Sequence, residues 1–274
     1  MKIVCLVENL TSSSELKCEH GLSFYIESGN RKILFDLGQG HLFIDNAIQL
    51  GIDLSKVDTV VISHGHYDHA GGLKEFLKIN TLAKIYIHKH AFVRHFSLNM
   101  QSELTDIGVD PILKEHPQII LTDSNFNIEG QIKLFSKLHQ NKFYPSGNQL
   151  LKQSDGDEVF ADDFSHEQNM ILIEGNHYVL FAGCAHKGIL NIVNQAIEIM
   201  HHSPTHVFGG FHLHSRSTDL SESDDFILSL GAELIKINTT YYTGHCTGTY
   251  AYKLLNEHFK ERIQSFSTGF TIRV

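Results

Sequence analysis

The chain has 274 residues, of which 42% are hydrophobic and 19% are charged, with only four prolines. This composition is that of an ordinary globular protein and excludes a disordered chain. The formal net charge of −9, with histidine neutral, disfavours a nucleic-acid partner because an acidic surface repels a phosphate backbone.

The cysteines and the N-terminal segment indicate a cellular compartment. A chain of this length can fold without cross-links, and its cysteines form no CxxC pair, which favours a reducing environment. They are Cys5, Cys18, Cys184 and Cys246. Residues 1–8 are too short for a signal-peptide core, and no stretch reaches the roughly 18 apolar residues of a spanning helix. We therefore predict a cytoplasmic protein with no membrane partner.

The first part of the chain has the pattern of a β-meander followed by helices and buried strands. The predicted elements are strands over 2–7, 22–27 and 32–37, a helix over 41–50, a strand over 57–63, a helix over 73–78 and a strand over 83–88. Residues 57–63 form a nearly continuous apolar run that histidines end abruptly, which is typical of a buried strand. Side chains with chemical roles are therefore expected from residue 64 onwards.

The pattern loosens between residues 89 and 163. This segment contains an amphipathic piece over 91–104, short strands near Ile119 and Ile132, and a polar stretch from Ser146 to Asp157. Polar, glycine-containing stretches of this kind are typical of loops. We predict a lid or insertion here, within a single domain over residues 1–274.

Regular patterns return after residue 168. The predicted elements are strands over 169–174 and 178–182, a helix over 189–200, a strand over 206–211, a helix over 221–230, a strand over 234–240, a helix over 249–259 and terminal strands. A meander followed by helices thus occurs twice. This order predicts an α+β fold in which two sheets pack face to face with helices outside, a four-layer αββα sandwich.

Three imidazoles and one carboxylate lie within six consecutive residues, directly after the strand predicted over 57–63. They are His64, His66, Asp68 and His69. In an extended turn, His64 and His66 can face one metal ion, while Asp68 and His69 are displaced enough to bind a second. Nitrogen and carboxylate ligands suit zinc, iron or manganese better than calcium or magnesium. The segment therefore predicts two divalent metal ions, with zinc as the first choice.

The segment HGHYDHAGG, residues 64–72, resembles the HxHxDH signature of the metallo-β-lactamase superfamily. Residues 34–38, LFDLG, resemble the early strand of that superfamily that ends in Asp-x-Gly. Further segments resemble one branch, which includes the dihydropterin–ribofuranosylaminobenzene phosphate synthases and many bacterial metal-dependent hydrolases. These segments are residues 20–23, 183–188, 209–213 and 243–248. The resemblance covers almost the entire chain and implies the αββα fold with a two-metal site.

The remaining ligands come from the ends of later predicted strands. His186 and His245 are flanked by glycines that let the backbone approach a metal, and we predict both as ligands. Cys184 lies where many superfamily members have a ligating or bridging Asp, so it is either a thiolate ligand or a packed neutral thiol. His212 is predicted to bind substrate or to support a ligand, and His166 is an alternative third ligand of the first metal.

These residues predict a metal-dependent hydrolase in which two ions activate water against a small, phosphorylated substrate. Asp68 is the predicted catalytic residue, since it can orient the water or accept its proton. The resemblance implies an alternative, a pterin-type synthase (transferase) that condenses hydroxymethyl-dihydropterin diphosphate with an arylamine ribose phosphate. A non-catalytic or redox metal-binding protein is a third hypothesis. The sequence leaves the substrate and the oligomeric state open.

Cationic side chains in the middle segment offer a place for an anionic substrate. They are His88, His90, Arg94 and His95. Imidazole and guanidinium groups bind anions, but the same residues also fit a solvated helix face.

Overall fold

The computed structural model describes residues 1–156 and 158–274, so the last residue of the predicted polar stretch, Asp157, lies outside the described residues. The first part of the chain forms β1 (Lys2–Val7), β2 (Ser23–Ser28), β3 (Arg31–Phe35), α1 (Leu42–Gln49), β4 (Thr59–Val61), α2 (Tyr67–Ala70), α3 (Leu73–Ile79) and β5 (Lys84–His88). The middle part forms β6 (Arg94–Leu98), β7 (Leu104–Asp106), β8 (Ile119–Thr122), β9 (Asn125–Ile128), β10 (Ile132–Phe135), β11 (Leu151–Asp155) and β12 (Glu158–Ala161). The last part forms β13 (Asn169–Glu174), β14 (His177–Phe181), α4 (Ile189–Met200), β15 (His206–Phe208), β16 (His214–Ser215), β17 (Leu220–Ser221), α5 (Asp224–Leu234), β18 (Thr240–Thr243), α6 (Thr249–Phe259), β19 (Ile263–Ser265) and β20 (Thr271–Arg273).

Two seven-stranded sheets form the centre of the fold. Their strand orders are β20-β1-β2-β3-β4-β5-β8 and β19-β18-β15-β14-β13-β10-β9. Buried aromatic rings join the two sheets: Phe24 of the first sheet lies 6.0 Å from Phe181 and 5.9 Å from Phe208 of the second, measured between ring centroids. Such edge-to-face pairs stabilise a sheet-to-sheet core beyond the burial of their area.

Helices cover the outer face of each sheet. Apolar residues of α1 and α3, including Phe43 and Phe76, pack on the first sheet. Residues of α4, α5 and α6, including Val193, Leu230 and Leu255, pack on the second. Helix, sheet, sheet and helix layers result, which confirms the predicted αββα sandwich.

The structure differs from the predicted elements in several places. The polar stretch predicted as a loop over 146–157 contains β11, and β16 and β17 have no predicted counterpart. Residues 91–104 form no helix: a short 3₁₀ turn over 89–92 leads into β6, and β6 joins a separate sheet of order β12-β11-β6-β7. The strand predicted over 234–240 is wrong, since α5 continues to Leu234 and the strand begins at Thr240. The helix α2, over 67–70, was not predicted. Short apolar runs fit both periods, which explains these errors.

The segment predicted as a lid or insertion divides into two parts. Strands β8, β9 and β10 belong to the main sheets, whereas β6, β7, β11 and β12 form the separate four-stranded sheet. We call this four-stranded sheet the insertion sheet. The single-domain organisation and the lid role stay predictions. Among the described residues, every helix is too short or too polar to span a lipid bilayer.

Candidate metal centre

The candidate centre lies where both main sheets present the C-terminal ends of parallel strands. In the first sheet β3, β4 and β5 run parallel, and residues 64–69 directly follow β4. In the second sheet β14, β15 and β18 run parallel, and His186, His212 and His245 follow them in that order. Loops after parallel strands meet at one edge of the sheet. The fold therefore brings these residues together across the seam between the two sheets.

A first group of ligand atoms forms around His64. Its Nε2 lies 3.3 Å from Nε2 of His186. The ring of His66 lies 4.6 Å from that of His64 and 5.0 Å from that of His186, between centroids. All three residues are buried. The structure thus places His186, predicted from a distant strand end, beside the first two histidines of the motif.

A second group forms around His69. Its Nε2 lies 3.1 Å from Nε2 of His245 and 3.1 Å from Sγ of Cys184. Nε2 of His245 lies 3.3 Å from Oδ2 of Asp68. The Sγ of Cys184 also lies within 4.8 Å of ligand atoms of His64 and His186, so the thiol is common to both groups.

The Nδ1 atoms of the candidate ligands are held by outer partners. His69 Nδ1 donates to Asp36 Oδ2 at 2.7 Å. His64 Nδ1 donates to the Ser63 hydroxyl at 2.8 Å. This hydroxyl in turn donates to Asp36 at 2.7 Å. The two histidines that follow strands of the second sheet donate to side-chain amide oxygens. His186 Nδ1 donates to Asn148 Oδ1 at 3.0 Å, and His245 Nδ1 donates to Asn9 Oδ1 at 2.9 Å. Bonds of this kind fix the tautomer and leave each Nε2 free to bind a metal. The outer partners are Asn9, Asp36, Ser63 and Asn148.

The charges of the site fit metal ions. Burial lowers the pKa of both His64 and His186 well below the ordinary value, so both rings are neutral, which is the form that binds metal. Burial opposes the charge of Asp68, but His69 and His20 outweigh it and hold the pKa of this carboxyl well below its usual range. Asp68 and Asp36 likewise overcome the effect of burial and raise the pKa of His69 to about 9. The neutral rings of His64 and His186, the ionised carboxylate of Asp68 and the thiol of Cys184 form a buried donor set that suits zinc or iron.

Two further predicted residues lie beside these groups. His166 accepts the Gly65 N–H at Nδ1, at 2.9 Å, and faces Asp162 Oδ2 with Nε2, at 3.2 Å. Both ring nitrogens therefore have protein partners, and the alternative role of His166 as a third ligand stays a prediction. His212 lies with its ring centroid 4.2 Å from that of His186, and its buried Nδ1 has no protein partner within the described part of the chain.

A cavity of about 320 Å³ opens onto these groups. Its lining includes Asp68, His186, His212, His245 and Arg216. Arg216 Nη1 donates to Tyr67 Oη at 3.0 Å. The cavity therefore joins the candidate metal ligands to a guanidinium group, which suits an anionic molecule.

His20 also lines this cavity, and no role was predicted for it. Its Nε2 lies 3.0 Å from Asp68 Oδ2, and its ring lies 4.7 Å from that of His245, between centroids. Only the resemblance of residues 20–23 signalled this position. A histidine isolated in sequence carries no local pattern that marks it as part of a site.

Glycine is required at two places around the motif. A side chain on Gly65 would put Cβ 2.3 Å from the Ala91 carbonyl oxygen, and one on Gly183 would put it 2.2 Å from the Ser63 hydroxyl. The glycines that flank His186 were predicted to let the backbone approach a metal ion. At Gly183 the group that the backbone approaches is the Ser63 hydroxyl.

Gly65→Ala should destabilise the protein by about 3 kcal/mol, since the Cβ meets rigid backbone and overpacking commonly costs about 1–3 kcal/mol. Urea unfolding measures the change. Gly40→Ala is the matched control, because nothing lies within 4 Å of the added Cβ, and its free energy of unfolding should stay within about 0.5 kcal/mol of wild type. Equal stability of the two variants would contradict the close packing at Gly65.

The cationic residues of the middle segment do not line the candidate metal cavity. Arg94 is exposed and pairs with Asp106 at 3.4 Å, while His95 is buried against Asp162 at 3.1 Å. His88 and His90 line a separate cavity of about 540 Å³. The predicted anion site on these four residues is therefore not part of the candidate centre.

His88 should make the free energy of unfolding depend on pH below neutrality. Burial and the neighbouring His90 lower the pKa of His88 to about 4 in the folded protein, against about 6.5 in an unfolded chain. The folded state therefore favours the neutral ring, and stability is lost as the pH falls from about 6.5 to 4, by at most about 3 kcal/mol. Urea unfolding across this range measures the loss. The variant His88→Gln should lack this part of the slope, and an unchanged slope would refute the assignment.

Comparisons with known proteins give the chain's relatives. The sequence model of the metallo-beta-lactamase superfamily matches residues 16–140. The chain is 29% identical to the 7,8-dihydropterin-6-methyl-4-(beta-D-ribofuranosyl)-aminobenzene-5'-phosphate synthase of Methanocaldococcus jannaschii, over 100% of this chain and 96% of that protein. The crystal structure of Tm1679, described as a metal-dependent hydrolase of the beta-lactamase superfamily, superposes with a TM-score of 0.84 at 28% identity and covers 100% of this chain and 99% of its own.

A more distant structure shares the fold alone. Zn(2+)-bound PqqB from Methylobacterium extorquens matches with a TM-score of 0.59 at 12% identity, over 100% of each chain. The fold, the clustered histidines and the full-length relatives lead to one family. Residues 16–140 match the metallo-β-lactamase superfamily, and the full-length similarity is to the branch that includes the dihydropterin synthase.

Proposed function

We propose that this protein is a metal-dependent transferase that joins a hydroxymethyl-dihydropterin diphosphate to an arylamine ribose phosphate. The observation that carries this proposal is the full-length similarity to the archaeal synthase, at 29% identity. It is supported by a cavity that is lined by both candidate metal ligands and a guanidinium group. Metal ions and guanidinium groups both suit a substrate with phosphate groups.

In the proposed centre, one metal ion would be held by His64, His66 and His186. The other would be held by Asp68, His69 and His245, with the thiol of Cys184 available to both. We propose zinc for both positions, and iron or manganese suit the same donors. When bound, such ions neutralise the charge of a departing diphosphate or make water a stronger nucleophile.

The residues of the chain would then bind and orient the reactants. Arg216 is placed to bind a phosphate group in a forked, charge-assisted geometry. His212 can donate or accept a hydrogen bond through its unpartnered Nδ1. In the condensation, the bond between the pterin methylene carbon and the diphosphate oxygen breaks and the electron pair leaves with the diphosphate. The nitrogen of the arylamine forms the new bond to this carbon, and Asp68 accepts the proton that the nitrogen loses.

A metal-dependent hydrolase is the second candidate, and its support is the similarity to the Tm1679 structure at a TM-score of 0.84. The same residues would serve, with water in place of the arylamine. A non-catalytic or redox role is the third hypothesis, and it predicts bound metal without turnover on either substrate.

Diphosphate release separates these candidates. Zinc-loaded protein is given the pterin diphosphate with and without the arylamine ribose phosphate, and diphosphate and organic products are measured. Release that depends on the arylamine, with the condensed product found by mass spectrometry, supports the transferase. Release that does not depend on the arylamine indicates hydrolysis. No release from metal-loaded protein would overturn the proposal, and retained turnover in His66→Ala would contradict the site assignment.

A further inference from the structure

A second cluster of buried titratable side chains lies behind His66, on the side away from the cavity. The carboxylate of Asp162 is surrounded by three imidazoles. Its Oδ2 lies 3.1 Å from His95 Nδ1, 3.2 Å from His166 Nε2 and 3.7 Å from His66 Nε2. All four residues are buried. Of the four, the proposed reaction uses only His66.

The hydrogen bonds of His166 and Asp162 show which atoms donate and which accept. The Gly65 N–H donates to Nδ1 of His166, so His166 carries its proton on Nε2 and donates it to Asp162. The other carboxylate oxygen, Oδ1, accepts the Phe164 N–H at 2.7 Å. Asp162 is thus an acceptor supplied with N–H donors, and this arrangement suits an ionised carboxylate.

His66 differs from the other candidate ligands in its orientation. His64, His69, His186 and His245 each bond an outer partner through Nδ1 and keep Nε2 for the centre. In His66 it is Nε2 that points to the outer carboxylate, and this buried nitrogen lies beyond hydrogen-bond distance of every protein group described. Nδ1 is therefore the nitrogen that His66 can present to the cavity.

We propose that Asp162 is a positioning residue that holds the imidazole of His66 through Nε2, so that Nδ1 faces the first metal ion. This inference rests on the proposed metal centre. A bound metal ion withdraws electron density from the ring and makes Nε2–H a stronger donor, so the contact to Asp162 should tighten when the centre is loaded.

The contact also ties the metal centre to the insertion sheet. Asp162 directly follows β12, its backbone N–H donates to the Leu151 carbonyl at 3.1 Å, and His95 lies on β6. Ser97 and Thr105, on the neighbouring β6 and β7, line the cavity. One sheet therefore supplies both a wall for the substrate and the carboxylate that orients a metal ligand.

Metal affinity tests this role without relying on turnover. We expect Asp162→Asn to bind one of the two metal equivalents about 10- to 100-fold more weakly, the loss usual for an outer partner of a ligand. Competition for zinc between the protein and a chromophoric chelator measures the affinity of each of the two equivalents. Asn80→Ala is the control, since Asn80 is a buried amide that bonds the Leu54 and Val57 carbonyls at the opposite edge of the first sheet. It should lose stability but keep its metal affinity within about 2-fold.

The results separate this proposal from the proposed function. Unchanged affinity of folded Asp162→Asn would overturn the positioning role while the metal centre stands. A third equivalent in wild type that is lost in Asp162→Asn would make Asp162 a ligand, which also overturns it. A wild-type protein that binds no zinc would instead overturn the metal centre itself.

A spectroscopic measurement on the wild type keeps the proposal testable if Asp162→Asn does not fold. Long-range ¹H–¹⁵N spectra distinguish histidine tautomers, with His66→Gln used to assign the signal. We expect His66 to carry its proton on Nε2 in both the metal-free and the zinc-loaded protein. A proton on Nδ1 would overturn the proposal.

Discussion

Replacing Asp68 by asparagine is expected to lower turnover by about 10²- to 10⁴-fold, the range for loss of a positioned acid or base. The reason is that one oxygen, Oδ2, faces three imidazoles: His20 at 3.0 Å, His245 at 3.3 Å and His69 at 3.8 Å. An amide keeps the shape of the side chain but loses the negative charge of the carboxylate. The variant should also lose one of two metal equivalents, since a carboxylate ligand has become a weak one.

Steady-state kinetics and metal analysis of the dialysed protein measure both effects. Asp45→Asn is the matched control, because Asp45 is exposed on α1 and pairs with the exposed His41 at 3.3 Å. The control should keep its turnover and two equivalents of metal. An Asp68→Asn variant with wild-type turnover would exclude this carboxylate from the reaction.

Removal of the metal is expected to lower the melting temperature by roughly 10 °C. A ligand present at a thousand times its Kd stabilises the folded state by about 4 kcal/mol, and each kcal/mol shifts the melting temperature of a large domain by about 2–4 °C. The structure gives the cause. Nε2 of His64 and Nε2 of His186 face each other at 3.3 Å, and both rings hold their proton on Nδ1. Without a metal ion, two lone pairs are buried against each other.

Thermal unfolding monitored by circular dichroism, with chelator and with added zinc, gives the difference. Magnesium is the control ion, since nitrogen and sulfur donors suit it poorly, and it should not restore the melting temperature. Identical melting curves in chelator and zinc would mean that the cluster binds no metal in the folded state.

The sequence was sufficient to predict the parts of the site that are local. The motif over 64–69 puts its ligands in one turn after a buried strand, and His186 and His245 could be found as histidines at strand ends flanked by glycine. Both lie in the predicted cluster because parallel strands end at one edge of a sheet. That they bind metal stays a proposal.

The groups that orient these ligands could not be predicted in the same way. Asp36 is 33 residues from His69, Asn148 is 38 from His186, and Asn9 is 236 from His245. No periodic pattern connects residues so far apart, because their contact depends on the packing of whole sheets. Asp162, which we propose positions His66, was missed for the same reason.

Local errors had a different cause. The apolar residues at 234–237 fit a short strand as well as the last turn of a helix, and α5 extends to Leu234 because packing on the second sheet decides. The segment over 91–104 alternates weakly, and only its pairing with β11 and β7 makes part of it a strand. Tertiary contacts overrode local preference in both places.

The seam between the two sheets has a kinetic consequence. Candidate ligands come from residues 64–69 of one sheet and from Cys184, His186 and His245 of the other, so neither half of the chain contains a complete coordination sphere. The proposed centre can therefore bind its two ions in full only after both halves have docked. Bound metal should then slow the unfolding rate while leaving the folding rate nearly unchanged, as expected for an interaction that forms after the transition state. The lifetime of the folded protein would then depend on the metal concentration more strongly than its folding rate does.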